Sequence, residues 1–310
     1  MKRLPVALLC GGASAEREVS LKSGQQVYEA LDKDKYEVVK YDPRDDLPKL
    51  VNDADKIDVA LIILHGRLGE DGTIQGFLEL LGIPYHGSGV LGSALAMNKI
   101  ASKKLYEKEG LPVSPYVVLE KGMEKPVKVV SKSLSFPVVV KPEHEGSSIG
   151  LSIVDDPSKL EDALEIAWKY DTKCLVEQYI DGIEITGAVL GNRKLEALPL
   201  VEIIPGDNYT FFDYEAKYTP GATNEICPAR LDEATTKKAQ EYAIRAHRAL
   251  FCKGYSRTDM IVADDNIYVL ETNTIPGMTQ TSLYPQAAAA AGMSFSQLLD
   301  RLIELALEEG

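Results

Sequence analysis

The chain has 310 residues, 45% hydrophobic and 26% charged, an ordinary globular composition at a length that exceeds a single core, so two or three domains are expected. Its 47 acidic against 34 basic residues leave a net charge of -13, which argues against a surface that tracks nucleic acid or anionic membrane and requires any anionic ligand to be met locally. Cys10, Cys174, Cys227 and Cys252 show no C-x-x-C spacing and the four histidines lie apart from them, which argues against zinc or a disulfide framework and points to the cytoplasm.

In chain order, the apolar run near the N-terminus is of strand length and is followed by no small-residue cleavage site. From position 4 to 89, strands ("LPVALLC", "YEVVKY", "DVALIIL") alternate with helical stretches ("EVSLKSGQQVYEAL", "GTIQGFLELLG"), predicting an open, doubly wound parallel α/β domain over 1–97. One long helical pattern, "VLGSALAMNKIASKKLYEKEG", then leads into "SPYVVLEK", "FPVVVKP", "LSIVDD", the helix "PSKLEDALEIAWKYD" and "TKCLVEQYI", a small α+β module over 98–181. The remainder, 182–310, reads as a larger α+β domain with strands in "GIEITGAVLGN" and "LEALPLVEII", the helix "LDEATTKKAQEYAIRAHRALF" and the closing helix "SFSQLLDRLIELALEE". Residues 205–228, aromatic, charged and too irregular for a plain connector, are expected to form a lid. The alanine run at 287–291 is too short to span a bilayer.

"YSRTDMIVADDNIYVLETN" reads as a hairpin with Asp264, Asp265 and Asn266 as its loop. If Ala263 pairs with Ile267, Asp259 falls opposite Glu271 and Arg257 opposite Asn273, all on one face; a two-residue loop would shift this pairing. Two opposed carboxylates among apolar neighbours need a positive partner. Arg257 supplies one as a salt bridge; alternatively a hard divalent cation such as Mg²⁺ takes both carboxylates, with the Asn273 carbonyl as a neutral oxygen and a nucleotide's phosphates completing the shell.

No G-x-x-x-x-G-K-[ST] sequence is present, and "CGGASAE" lacks the full dinucleotide fingerprint. A better phosphate site is "VVVKPEHEGSSIG", where Lys141 ends a strand before a turn rich in donors. Lys99 and Lys217 taken singly read as surface charges. Glu177 and Glu184 bracket a turn, where they either accept from ribose hydroxyls or simply face solvent.

Together, "GGASAEREVS", "LHGRLGEDGTIQGFLELLGIPYHGSG", "KPEHEGSSIG", "YEAKY", "SRTDM" and "LETNTIPGMT" resemble the D-alanine–D-alanine ligase family of the ATP-grasp superfamily, in the expected order from first strand to last helix. The resemblance implies a three-domain ATP-grasp architecture, α/β and α+β, with a Rossmann-like N-terminal domain and ATP held between the other two. It implies D-alanine and ATP as partners and ligation through an acyl phosphate for peptidoglycan precursor synthesis. Two Mg²⁺ ions, for which Mn²⁺ could substitute, would sit on Asp259, Glu271 and Asn273. Lys99 and Lys141 would contact phosphates, Lys217 the transferred phosphoryl group, Glu184 the ribose and Glu177 the adenine end. Arg257 and the backbone N–H of Gly277 would stabilise the oxyanion. Glu16 would bind the first substrate's ammonium beside His65, Ser147 and Tyr218 would tie the glycine-rich turn to the lid, and Ser282 with Leu283 would take the second substrate's carboxylate. A homodimer through the first domain also follows from the resemblance.

Three rivals stand beside this reading. Another ATP-grasp carboxylate–amine ligase, or a relative using D-serine or D-lactate second, is one, although the "YEAKY" segment with Tyr218 favours dipeptide over depsipeptide formation. A nucleotide-binding oxidoreductase is supported by the first α/β unit and by Asp42 after its second strand. A non-catalytic nucleotide-binding module would not need Arg257, a lid and three oxygen ligands together.

Overall fold

A computed structural model describes residues 2–206 and 223–308. Three sheets organise it. The first is parallel, with β1 (Leu4–Cys10) between β2 (Tyr36–Tyr41) and β3 (Val59–Ile63). Every residue of β3 is buried, as a strand covered on both faces requires. Helices α1 (Arg17–Ala30), α2 (Leu47–Asp53) and α3 (Thr73–Leu80) connect it. After β1 the chain turns through Gly11 and Gly12, at φ +97° and +78°, a left-handed region open to glycine. Asp42 closes over this turn, accepting from the Gly12 N–H at 2.9 Å and pairing with Arg17 at 2.6 Å. The acid that an oxidoreductase would offer to a ribose is thus spent on its own loop.

The long predicted helix is two helices, α4 (Val90–Met97) and α5 (Lys99–Lys108). Asn98 leaves helical geometry at ψ 102°, and its side-chain oxygen accepts from the Ala101 N–H at 2.8 Å, so it caps α5 and places Lys99 at that helix's first position. The second sheet is antiparallel, in the order β4 (Tyr116–Glu120), β7 (Lys173–Gln178), β5 (Val138–Pro142), β6 (Ser152–Val154). Two helices, α6 (Pro126–Ser133) and α7 (Leu160–Ala167), cover one face through Val138, Val140 and Val176. Alternation sends Val139, Lys141 and Glu177 to the other face, where they line a cleft.

The third sheet has six strands: β11 (Thr223–Ile226), β10 (Val201–Pro205), β8 (Ile183–Leu190), β12 (Tyr255–Ala263) and β13 (Asn266–Asn273), with β9 (Glu196–Ala197) paired to β8. Part of the segment expected to be irregular is therefore strand, since β10 runs to Pro205 and pairs with β11 from Thr223. One face packs on α8 (Glu233–Ala249), whose Ala239, Ala243 and Ala246 let the backbones approach. The other face meets α9 (Leu283–Ala290) and α10 (Phe295–Leu307), which share a core with the parallel sheet. At that junction the buried His86 ring accepts from the Ile62 N–H through Nδ1 at 3.2 Å, leaving its proton on Nε2, 3.0 Å from the Tyr255 hydroxyl. Burial pushes this imidazole down to about 4.

Helices α2, α6 and α9 are additions to the elements predicted from sequence. Each is short, seven or eight residues.

Candidate active site

The site grows from alternation along β12. Tyr255, Arg257, Asp259 and Ile261 share one face, opposite Leu190, Ala188, Thr186 and Glu184 of β8. The Tyr255 end is buried against α9 and the first unit, while Asp259 and Ile261 open on the cleft. One strand face therefore runs from an apolar junction into a polar site.

The pairing of β12 with β13 is reached differently from the sequence expectation. The hairpin loop is only Asp264 and Asp265, because Ala263 pairs with Asn266. A regular ladder would then put Leu270 opposite Asp259 and turn Glu271 toward the α8 core. A β-bulge between Asp259 and Met260 restores the register, so that Asp259 meets Glu271 and Arg257 meets Asn273. The extra residue is Leu270, and both it and Glu271 line the cleft.

Arg257 grips Asp259 with two hydrogen bonds, Nε to Oδ1 at 2.9 Å and Nη2 to Oδ2 at 2.8 Å. Thr186 Oγ1 donates to Oδ1 at 2.6 Å and Asn273 Nδ2 to Oδ2 at 3.1 Å. The salt bridge read as an alternative to a metal is thus present. Two facing carboxylates and an amide also fit a hard cation. No group of three or more His, Cys, Asp or Glu suited to a metal occurs among the described residues, so a Mg²⁺ ion on Asp259, Glu271 and Asn273 would depend on phosphate oxygens and water to fill its shell.

The cleft lies between the second and third sheets and encloses about 960 Å³, open solvent at its mouth included. Val139, Ile153, Ile261 and Leu270 give it apolar walls suited to a base, and Lys99, Lys141 and the turn 145–148 line the same cleft. Lys99 Nζ donates to the Glu145 carbonyl and lies 3.8 Å from Glu271. Lys141 Nζ is 2.9 Å from Glu177 Oε1. In the turn, Ser147 and Ser148 take φ of 49° and 59°, strained for serine, and aim the Ser147 hydroxyl at Glu16 Oε1, to which it donates. Glu16 is 6% exposed and joins residues 131 positions apart. It also abuts the Gly66 backbone, where a Cβ would come within 2.7 Å of its carboxylate.

The family description "D-ala D-ala ligase N-terminus" matches residues 5–47 and 44–88, and "D-ala D-ala ligase C-terminus" matches 105–304. The chain is 68% identical over 308 residues to the D-alanine–D-alanine ligase of Syntrophobacter fumaroxidans, covering 99% of both chains. The chain belongs to the D-alanine–D-alanine ligase family. The relative from Desulfotalea psychrophila is 54% identical, over 99% of this chain and 96% of its own. Among solved structures, the Bacillus anthracis D-alanine–D-alanine ligase complexed with ATP superposes with a TM-score of 0.86 at 37% identity, covering 98% of this chain and 97% of that one. The VanG D-Ala:D-Ser ligase of Enterococcus faecalis gives 0.85 at 33% identity, covering 99% and 100%.

Within this ATP-grasp ligase fold, Lys99, Lys141, Glu177, Glu184, Asp259 and Glu271 line one cleft. Gly277 and Ser282 also come together, since a Cβ on Gly277 would lie 3.1 Å from the Ser282 hydroxyl. Ser282 is the N-cap of α9, where the helix dipole favours a carboxylate. The Leu283 side chain is in the core, which leaves only its backbone for a ligand. His65 is buried 3.4 Å from Glu70, whose carboxyl is pushed up by desolvation. Lys217 and Tyr218 lie outside the described residues.

Sequence reasoning missed Lys103, Ser114 and Thr186. Lys103 is fully buried, with Nζ 3.2 Å from Ser114 Oγ and 3.4 Å from Glu177 Oε2. A signal was available, because Lys103 falls in the buried stripe of α5 between Ile100 and Tyr106. Burial pushes its ammonium down, against the pull of Glu177. Glu177 is held below the usual carboxylate range: desolvation opposes this, and the two lysines outweigh it.

Proposed function

We propose that the chain joins two D-alanines at the expense of ATP, the first over Glu16 and Arg257, the second over Ser282. A carboxylate oxygen of the first D-alanine attacks the γ-phosphorus and releases ADP. The amine of the second attacks the resulting acyl phosphate carbonyl, loses a proton, and the tetrahedral intermediate expels phosphate. Lys99 and Lys141 neutralise the phosphates and Glu184 holds the ribose. Glu177 takes the base, while Arg257 and the Gly277 N–H receive the oxyanion. Mg²⁺ bound by Asp259, Glu271 and Asn273 would supply further charge neutralisation at the transferred phosphoryl group. The Ser147–Glu16 contact holds the glycine-rich turn over the first substrate; Lys217, expected at the transferred phosphoryl group, and Tyr218 lie outside the described residues.

The observation that supports this reading best is the convergence of Lys99 and Lys141, from separate elements, on the cleft that Asp259 and Glu271 line. The assay is ADP release with Mg²⁺ and D-alanine, compared with L-alanine and with D-alanine plus D-serine or D-lactate. Dependence on D-alanine is expected, and its absence would sink the proposal. The likeness to a D-Ala:D-Ser ligase keeps D-serine as a second reading, which mixed dipeptide in excess of D-alanyl-D-alanine would favour.

The product's role in peptidoglycan precursor synthesis and a cytoplasmic location belong to the same proposal. No helix among the described residues is long and apolar enough to cross a membrane. Boundaries at 97/98 and 181/182 and a homodimer through the first unit complete it. The dimer rests on the family resemblance, and light scattering at twice the chain mass tests it.

A further inference from the structure

Beneath the nucleotide cleft one carboxylate serves two lysines. Glu177, 3% exposed, has Oε2 bound by Ser114 Oγ at 3.0 Å, and Ser114 accepts from Lys103 Nζ at 3.2 Å. Its other oxygen, Oε1, has Lys141 Nζ 2.9 Å away but makes no well-aligned hydrogen bond. The Oε2 side is anchored by a closed network inside the protein; the Oε1 side is a close, poorly directed pair at the cleft wall. We propose that Lys103 is a positioning residue of the nucleotide site, holding the Glu177 charge so that Lys141 is free to exchange Glu177 for phosphate. The proposal rests on reading Lys141 as a phosphate ligand.

The physical argument is electrostatic. If Lys141 were the only cation on Glu177, moving it to a phosphate would strand a buried carboxylate without a partner, and the pair would resist opening. Lys103 stays on the far oxygen throughout, so the carboxylate keeps a partner whether Lys141 faces it or the ligand. Lys103 itself has no route to the ligand. It is fully buried on α5, one turn beyond Lys99; among the described residues Ser114 and Glu177 receive its ammonium, which also lies 5.5 Å from the centre of the Tyr116 ring. An apolar side chain would fill that stripe position at no cost in desolvation, so the ammonium's effect lies in what it touches.

The test uses the full chain with ADP and adenosine as calorimetric probes, alongside steady-state kinetics. For Lys103→Met, ADP affinity should fall about tenfold and KM for ATP should rise equally, while adenosine affinity, KM for D-alanine and kcat at saturating ATP stay within about threefold. Lys103→Arg, which keeps the charge, should recover most of the loss. Lys103→Met/Glu177→Gln should have a higher ratio of ADP to adenosine affinity than Lys103→Met alone, because the amide no longer holds Lys141 while any loss at the base is common to both ligands. Should Lys103→Met fail to fold, Ser114→Ala is read instead, with about a threefold weakening of ADP alone expected. Equal weakening of ADP and adenosine, a fall in kcat together with both KM values, or a double variant whose ADP-to-adenosine affinity ratio is no higher than the single one's would overturn the proposal. A wild-type chain that binds ADP with this pattern yet releases none in response to D-alanine would instead overturn the ligase reading.

Discussion

Glu16 and Glu177 are both buried carboxylates at the edges of one site, and they are held in opposite ways. Glu177 sits on a central strand between a helix lysine and a neighbouring-strand lysine, so regular elements fix it before any ligand arrives. Glu16 stands where a loop of the first unit meets a turn of the second, held by a serine in left-handed backbone geometry. The Glu177 end is thus preorganised, whereas the Glu16 end is assembled from loops whose strain is maintained by the contact itself.

That contrast predicts a gradient of effects. Glu271→Gln, on the rigid side, should lower kcat on the order of 10³-fold with little change in thermal midpoint; wild-type turnover would remove Glu271 from the chemistry. Stability is expected to respond to pH through His86, which the rigid junction keeps neutral at a value near 4 while the unfolded chain titrates near 6.5. The unfolded state then binds more protons between those values, so stability falls as pH drops from 6.5 toward 4, by about 3 kcal/mol for this group. Urea titrations of the wild type and His86→Gln at pH 7 and 5 measure it, and equal slopes in both proteins would assign the effect elsewhere.

On the loop side, Ser147→Ala should lower dipeptide formed per ATP consumed and slow turnover by roughly 10- to 100-fold, since a hydrogen bond to a charged group is lost. An unchanged coupling ratio would show that Glu16 closes the site without it. Asn98→Ala should have the smallest effect. It removes the cap that starts α5 under Lys99, costing about 1 kcal/mol in stability, with a modest rise in KM for ATP. A stability loss without any KM change would separate the cap from Lys99.

Much of this was legible. The strands of the first unit, the long helices α1, α8 and α10 and the donor-rich turn after Lys141 follow from local periodicity and turn chemistry. Asp42 was legible only as an acid after a second strand; that it is consumed by Arg17 and Gly12 depends on where the β1 turn folds back. Asn98 could have been read as a cap, but the continuous apolar pattern on either side masked the break.

The sequence by itself determined which residues carry charge in a largely apolar setting, and the alternation that puts Arg257 and Asp259 on one face of β12. Only the tertiary structure decided that Glu271 joins them. The two-residue loop would have turned it away, and a bulge at Leu270 turned it back. Tertiary packing alone also made Lys103 a buried cation under the nucleotide cleft. Register beyond a bulge depends on neighbours distant in sequence, of which a local pattern carries no record; the helical stripe hints that Lys103 is buried, but its partners Ser114 and Glu177 come only with the packing.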